Sequence, residues 1–259
     1  MQVIHGIDRL SAEHSPAFVV VGVFDGLHLG HVYLLAHLIE EAAIRGALPT
    51  VITFDHHPDE VLTGHAPPLL LDARERLERL SEAGVAVTVV QPFDEALRQT
   101  PFAAFVDRIR ERVQLRGFLM TPDAAFGYGR RGTPEALADL GAREGFDVVV
   151  VPPFTVDGRT VRSSEIRTEI AAGNMASAAA LLGRPVTLTG IVEDAGPDGV
   201  GLRFELPVAL PPAGEYAGRV DGKPAHLRID RDVAYIRADV RLGELVTVEL
   251  TVEDATGAP

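Results

Sequence analysis

Residues 17–33 read AFVVVGVFDGLHLGHVY. Phe18, Val19, Val20 and Val21 form a run that is apolar at every position, the pattern of a strand buried on both faces. The run breaks at glycine and aspartate, and an amphipathic helical pattern takes over by residue 31. Strand, Gly-rich turn and helix in that order open a βαβ unit, so this stretch decides the fold class. It also places His28 and His31 three apart, with Gly26 and Gly30 around them. At the start of a helix two residues so spaced face the same side. A helix N-terminus offers unpaired N–H groups and a partial positive charge, and both favour phosphate. Glycines there let the backbone approach a bulky anion without a Cβ in the way. Imidazoles at that point can donate hydrogen bonds to phosphoryl oxygens as charge develops during transfer. H-x-G-H alone is a short pattern that arises often by chance; its place between a strand and a helix gives it weight.

Outward from this stretch, the β-rich runs AFVVVGVF, TVITF, VAVTVV, RGFLM and FDVVVVP alternate with helical patterns over 31–45, 72–82, 101–113 and 133–144. Thr133 as N-cap, Pro134 at the first helical position and Glu135 in the first turn mark the start of the last helix. Apolar strands separated by helices predict a parallel sheet with right-handed crossovers, an α/β, doubly wound, Rossmann-like architecture. Ligands of such sheets bind outside the carboxyl ends of the strands, near the topological switch point. VFDGLHLGH lies at the carboxyl end of the first strand in this reading. Helical patterns follow over 164–172 and 175–182, the second closed by Gly183. From Pro185 the texture changes to short alternating runs rich in Gly and Pro: VTLTGIVED, GLRFELPVALP, EYAGRV, AHLRI, VAYIRADV and LVTVELTVE. They predict a small β-barrel or sandwich. Two domains are therefore expected, an α/β domain over 1–184 and a β-barrel domain over 185–259.

At 259 residues the chain is long enough for one large domain or two smaller ones. A hydrophobic content of 46% with 24% charged residues is that of an ordinary globular protein. The formal net charge of −13 argues against a nucleic-acid partner, whose footprint would be a basic stripe. The arginines are instead spread among acids, as in ARERLERLSEAG. The absence of cysteine excludes disulfides, thiolate metal sites and a cysteine nucleophile. No apolar run approaches the roughly 20 residues of a membrane span, and no basic segment backed by an apolar one opens the sequence. The expectation is an acidic cytoplasmic protein without a membrane partner.

Two further segments carry chemistry. In VRSSEIRTEI, residues 161–170, adjacent serines before a helix suit an N-cap. The same serines, with Arg167 one turn in, also suit a second anion cradle. DAAFGYGRRGTPEAL, residues 123–137, is a Gly-rich loop opening a helix, a common arrangement on its own. The pair His56–His57 lacks a third metal ligand in view, and a polar turn after a strand is the simpler account.

Together these segments resemble the bacterial bifunctional riboflavin kinase/FAD synthetase family, whose adenylyltransferase half belongs to the HxGH nucleotidylyltransferase superfamily. GVFDGLHLGH looks like the family's G-[NV]-F-D-G-x-H-x-G-H, VITFDHHP like T-F-[DE]-P-H-P, and GYGRRGT like F-G-x-x-x-x-G-[DT]. RSSEIR corresponds to S-S-T-x-[IV]-R and AALLGRP to A-x-x-L-G-R-P, so five motifs fall in register over residues 15–185. The resemblance implies transfer of AMP from ATP to the phosphate of FMN, giving FAD and pyrophosphate, with Mg²⁺. It implies that His28 and His31 stabilise the transferring α-phosphoryl, and that Ser163, Ser164 and Arg167 hold the β and γ phosphates. Gly22, Val23, Phe24, Asp25, Gly26 and Gly30 match the nucleotide cradle. Phe54, His56, Pro58, Asp123, Ala124 and Phe126 fall where the family places flavin contacts. No residue need act as nucleophile, because the FMN phosphate attacks in line. No metal ligand is assigned to the chain.

The departures are informative. The first serine of S-S-T is Arg162 here and the threonine is Ser164. The proline of T-F-[DE]-P-H-P is His56, and the family's G-x-[DN]-F becomes Thr121-Pro122-Asp123-Ala124. These last two changes fall near the flavin. They leave a modified flavin mononucleotide open as acceptor, as the phosphate motifs leave CTP open as donor, and a non-catalytic flavin or nucleotide binder is the remaining alternative. In the second domain ALPPAGEYAG still looks like the kinase half's A-L-P-x-x-G-x-Y-A-G. Its P-T-A-N is replaced by Phe204-Glu205-Leu206-Pro207, and the sequence ends soon after ELTVEDA without the family's terminal helices. The expectation is a kinase-like barrel without kinase chemistry, kept for stability or for contact between copies.

Overall fold

The computed structural model describes residues 1–194 and 200–251, and packing divides the chain into two units. One comprises Met1–Phe24, Gly30–Pro67 and Ala73–Thr155; the other takes Asp25–Leu29, Pro68–Asp72 and the described chain from Val156 onward.

The first unit carries one sheet, with strands β1 (Gln2–His5), β2 (Ala17–Val21), β3 (Leu48–Phe54), β4 (Val87–Gln91), β5 (Leu115–Met120) and β6 (Asp147–Val150). Its helices are α1 (Leu29–Ile44), α2 (Pro58–Thr63), α3 (Ala73–Glu82), α4 (Glu95–Arg98), α5 (Phe102–Arg110) and α6 (Pro134–Glu144). Every strand pairs in parallel, in the order β1-β4-β3-β2-β5-β6. The first four residues of β2 and the last five of β3 are buried, as a sheet covered on both faces requires. From β2 the chain winds outward through β3 and β4, then returns to the opposite flank for β5 and β6. That reversal makes the carboxyl end of β2 the topological switch point, and residues 22–31 leave the sheet there.

The doubly wound sheet expected from the sequence is therefore present, with local differences. β1 is a short edge strand in which Ile4 alone is buried, too little pattern to be read in advance. The expected strand through residue 24 stops at Val21, because Phe24 takes a left-handed conformation with φ 54° that a strand cannot hold. α1 starts at Leu29 rather than at 31, its apolar stripe (Leu35, Leu38, Ala42) coming later than its first turn. α6 begins as expected, with Thr133 Oγ1 accepting from the Ala136 N–H at 3.3 Å.

A two-stranded ribbon, β7 (Thr155–Val156) and β8 (Arg159–Thr160), leads into the second unit. Helices α7 (Ser163–Ala171) and α8 (Met175–Leu182) pack on each other there. Gly183 closes α8 at φ 74°, its N–H returned to the Ala179 carbonyl at 2.8 Å. The remaining strands, β9 (Thr187–Asp194), β10 (Val200–Arg203), β11 (Gly214–Val220), β12 (Lys223–Asp230), β13 (Val233–Arg237) and β14 (Leu245–Leu250), form a closed barrel in the order β10-β13-β12-β11-β14-β9. Its antiparallel strands alternate buried and outward residues, as with Ala225, Leu227 and Ile229 inside on β12. Closure leaves no unpaired edge and decides between barrel and sandwich. The expected strand GLRFELPVALP is strand only through Arg203. Pro207, Pro211 and Pro212 have no N–H to give a ladder, and the segment leaves the barrel wall. Val208 instead forms a parallel bridge with Leu69. The expected strand VTLTGIVED is present as β9, while the last two residues of LVTVELTVE and the expected lack of terminal helices fall on 252–259, outside the described residues.

Candidate phosphate and flavin sites

The turn after β2 is made of residues in unusual conformations. Phe24 (φ 54°), Gly26 (φ 82°) and Leu27 (φ 37°) all lie in the left-handed region. For a buried phenylalanine and a leucine this is strained, and strain of this kind persists where surrounding contacts hold it. In the first unit those contacts are visible. A Cβ on Gly22 would lie 3.0 Å from the Phe24 ring, and the Phe24 and His31 rings sit 5.0 Å apart, centroid to centroid. The Val23 carbonyl accepts from Thr53 Oγ1 at 3.0 Å and from Arg76 Nη1 at 3.2 Å, while Arg76 Nη2 donates to the Phe54 carbonyl at 2.9 Å. Arg76 thus ties the carboxyl ends of β2 and β3 together. It sits in ARERLERLSEAG, where its neighbours' charges hid it from sequence reading.

In the second unit Asp25 is 3% exposed and is the hub of a hydrogen-bonded cluster. Its carboxylate accepts from the Leu70 N–H at 3.0 and 3.2 Å and from Arg167 Nη2 at 2.5 Å. Its carbonyl accepts from Ser163 Oγ at 2.9 Å, and Arg167 Nε donates to the Pro68 carbonyl at 2.8 Å. The two serines do not cap α7. The extended residue before the helix is Arg162, without a side-chain cap, and Ser163 spends its hydroxyl on Asp25. Ser164 follows Ser163 in the first turn, whose N–H groups form the helix's anion-favouring end. A Cβ on Gly26 would fall 2.9 Å from Leu70 Cδ1, so glycine is required there by space as well as by φ.

His28 is 4% exposed and immediately precedes α1, with Gly30 and His31 in that helix's first turn. Burial, aided by the positive charges of Arg184 and then Arg167, pushes the His28 pKa down to about 4. The ring is therefore neutral at neutral pH, with one N–H to donate. Arg167 thus meets the buried Asp25 carboxylate and, with Arg184, also sets the charge around the His28 imidazole; guanidinium groups and a helix amino end are groups that favour phosphate. Arg184 carries no role from the sequence reading, although LGRP was among the matched motifs.

The flavin candidates belong to the first unit, at the carboxyl ends of β3 and β5. Phe54 is buried and meets Phe93 edge-on at 5.2 Å. Asp55 Oδ1 accepts from the N–H groups of Phe93 (3.0 Å) and His56 (2.8 Å), and the His56 ring is half exposed. His57 accepts from the Asp59 N–H at 3.2 Å as the N-cap of α2, with Pro58 at its first position, so this pair is a capped turn. Asp123 accepts from Thr121 Oγ1 at 2.8 Å. Ala124 packs on the core, and the Phe126 ring lies against Phe105 and Phe118 at 5.2 and 5.7 Å. The Gly-rich loop closes over the start of α5: a Cβ on Gly127 would lie 2.5 Å from the Phe102 backbone nitrogen.

Among the described residues no group of three or more His, Asp or Glu side chains could hold a metal ion. The residues present do not make a protein cage for Mg²⁺, a cation that keeps water and phosphate oxygens where it can. Among the described residues no helix is long and apolar enough to cross a membrane.

Comparison with known proteins places the chain in a family. The model of the FAD synthetase family matches residues 10–165. A Pseudomonas fluorescens protein named bifunctional riboflavin kinase/FMN adenylyltransferase is 32% identical over 193 residues, covering 74% of this chain and 62% of that one. The Escherichia coli K12 protein of the same name is 32% identical over 225 residues, covering 86% and 71%. The chain thus spans less than two thirds of the first relative's length. A crystal structure named as a macrolide-efflux protein from Streptococcus pneumoniae superposes with a TM-score of 0.79 at 23% identity, over 100% of this chain and 93% of that one. At that identity the likeness shows a shared fold.

Proposed function

This chain belongs to the FAD synthetase family, and on that premise we propose that it transfers AMP from ATP to the phosphate of FMN, releasing pyrophosphate and forming FAD. The observation that carries the proposal is the cluster of His28, Asp25, Ser163 and Arg167 at the amino end of α7. In the reaction an FMN phosphate oxygen attacks the α-phosphorus. The bond from that phosphorus to the bridging oxygen breaks, and its electron pair leaves with pyrophosphate. The attacking phosphate is already ionised, so no base is needed and the protein's work is positioning and charge stabilisation. His28, neutral and buried, donates a hydrogen bond to the transferring phosphoryl without first losing a proton. His31 donates beside it from the first turn of α1. Arg167, held in place by Asp25 and Pro68, faces the leaving phosphates with Ser164 and the α7 amides. Gly22, Val23, Phe24, Gly26 and Gly30 form the nucleotide cradle, with Asp25 acting on it through Arg167. Phe54, His56, Pro58, Asp123, Ala124 and Phe126 border the flavin. Mg²⁺ is expected from the family, carried on the nucleotide's phosphates and water.

We assign the transferase to 1–184 and a kinase-like barrel without kinase activity to 185–259. Support comes from the segment in the place of P-T-A-N: Glu205 is its lone side chain with an oxygen, exposed, and the Pro207 carbonyl accepts from the Leu69 N–H. The test uses the protein with FMN and ATP labelled at the α or the γ phosphate. The α label is expected in the flavin product and the γ label in pyrophosphate; an α label that stays out of the flavin contradicts the proposal. Riboflavin with ATP and Mg²⁺ is expected to yield no FMN.

A further inference from the structure

We propose that the barrel segment of Pro207, Val208 and Ala209 is a positioning element for the phosphate cluster, acting through Leu69. It rests on the nucleotidyl-transfer reading and concerns what holds that site in shape. The Leu69 N–H donates to the Pro207 carbonyl at 2.8 Å, and the Ala209 N–H donates to the Leu69 carbonyl at 2.8 Å, with Val208 in parallel register between them. The neighbours of Leu69 on either side make the contacts that matter. Pro68 gives its carbonyl to Arg167 Nε at 2.8 Å. Leu70 gives its N–H to the buried Asp25 carboxylate, and its side chain lies over Gly26. One extended residue is thus clamped by two backbone hydrogen bonds from the barrel, and the residues before and after it hold Arg167, Asp25 and the strained turn.

The arrangement is informative because residues 65–72 carry no helix of their own between α2 and α3. A connection of that kind is ordered by what it pairs with. Here that pairing is with a chain segment about 140 positions downstream, where Phe204-Glu205-Leu206-Pro207, which departs from the kinase pattern, meets ALPPAGEYAG, which keeps it. Strand β10 ends at Arg203, and the segment that follows becomes a strap across Leu69. A hydrogen bond into a buried carboxylate is one whose loss is felt, because the acceptor cannot turn to water instead.

The test removes one N–H without touching the phosphate cluster. Ala209→Pro deletes the donor to Leu69; Leu69→Pro deletes the other bond from the opposite side; Ala209→Ser keeps the N–H and serves as the conservative rescue. Two readouts are taken on the full chain: amide hydrogen exchange at Leu70, with Leu227 in the barrel wall as the folding control, and the Kd for inorganic tripolyphosphate alongside the separate KM values for nucleotide and FMN. With Leu227 protection intact, either proline variant is expected to speed Leu70 exchange about tenfold or more. The tripolyphosphate Kd and nucleotide KM are expected to rise about fivefold, with the FMN KM unchanged and Ala209→Ser at wild-type values. Leu70 exchange or tripolyphosphate affinity at the wild-type level in a folded proline variant overturns the proposal. Should the wild-type chain transfer no nucleotide, the reading of function falls while exchange and tripolyphosphate binding still decide the strap.

Discussion

His28 shows how a residue's surroundings set its chemistry. Its pKa is pushed down to about 4 from 6.5, by burial first and then by Arg184 and Arg167. Between those two values the unfolded chain binds a proton at this ring that the folded chain refuses. Stability therefore falls as pH drops from about 6.5 toward 4, and the ring adds no pH dependence above that window. A shift of this size is worth about 3 kcal/mol once the window is crossed. Denaturant titrations of wild type and His28→Asn at pH 7 and pH 4.5 should differ in their acid loss by about 2 kcal/mol, wild type losing more. Equal losses contradict a neutral His28. Asp25 offers a second test. Arg167→Ala would leave its carboxylate buried without the guanidinium, and the expected loss of about 3 kcal/mol in stability would cloud any kinetic reading. Asp25→Asn keeps the shape and is the cleaner variant, predicted to raise the nucleotide KM about tenfold while the FMN KM holds within twofold. The sequence shows Asp25 inside a phosphate-binding pattern. It cannot show that the carboxylate meets an arginine 142 positions away, because that pairing exists only once the chain is folded.

At the scale of elements, legibility followed burial and periodicity. β2, β3 and α6 are readable because β2 carries an unbroken apolar run, β3 a β-branched run and α6 a cap. β1 and α4 are four residues each, shorter than the window over which any period can be seen. The turn after β2 was readable as a ligand site but not as a strained one, since a phenylalanine at φ 54° contradicts its own propensity. The variant that probes this turn is Gly26→Ala. A methyl group there meets Leu70 Cδ1 at 2.9 Å and must hold φ 82°. The predicted cost is about 1–3 kcal/mol, with activity lowered, read by thermal unfolding and steady-state rates. An unaltered melting temperature would show that the turn relaxes freely.

For the whole molecule, the sequence separates an α/β part from a β part near residue 185. Packing assigns two short loops, 25–29 and 68–72, to the second unit although in sequence they fall between segments of the first. Loop residues have no periodic signature, so this exchange is invisible until their hydrogen bonds are seen. It puts His28 and Arg167 in one packing unit with the barrel. The central claim is that this unit and the turn after β2 serve nucleotidyl transfer. The measurement that tests it most directly is pyrophosphate release from FMN with ATP, CTP, GTP and UTP in turn, for wild type and for His31→Ala. The account predicts release matched by FAD with ATP, slowed roughly 10²-fold or more in the variant without loss of folding. No pyrophosphate with any of the four nucleotides, or a His31→Ala rate equal to wild type, would contradict it.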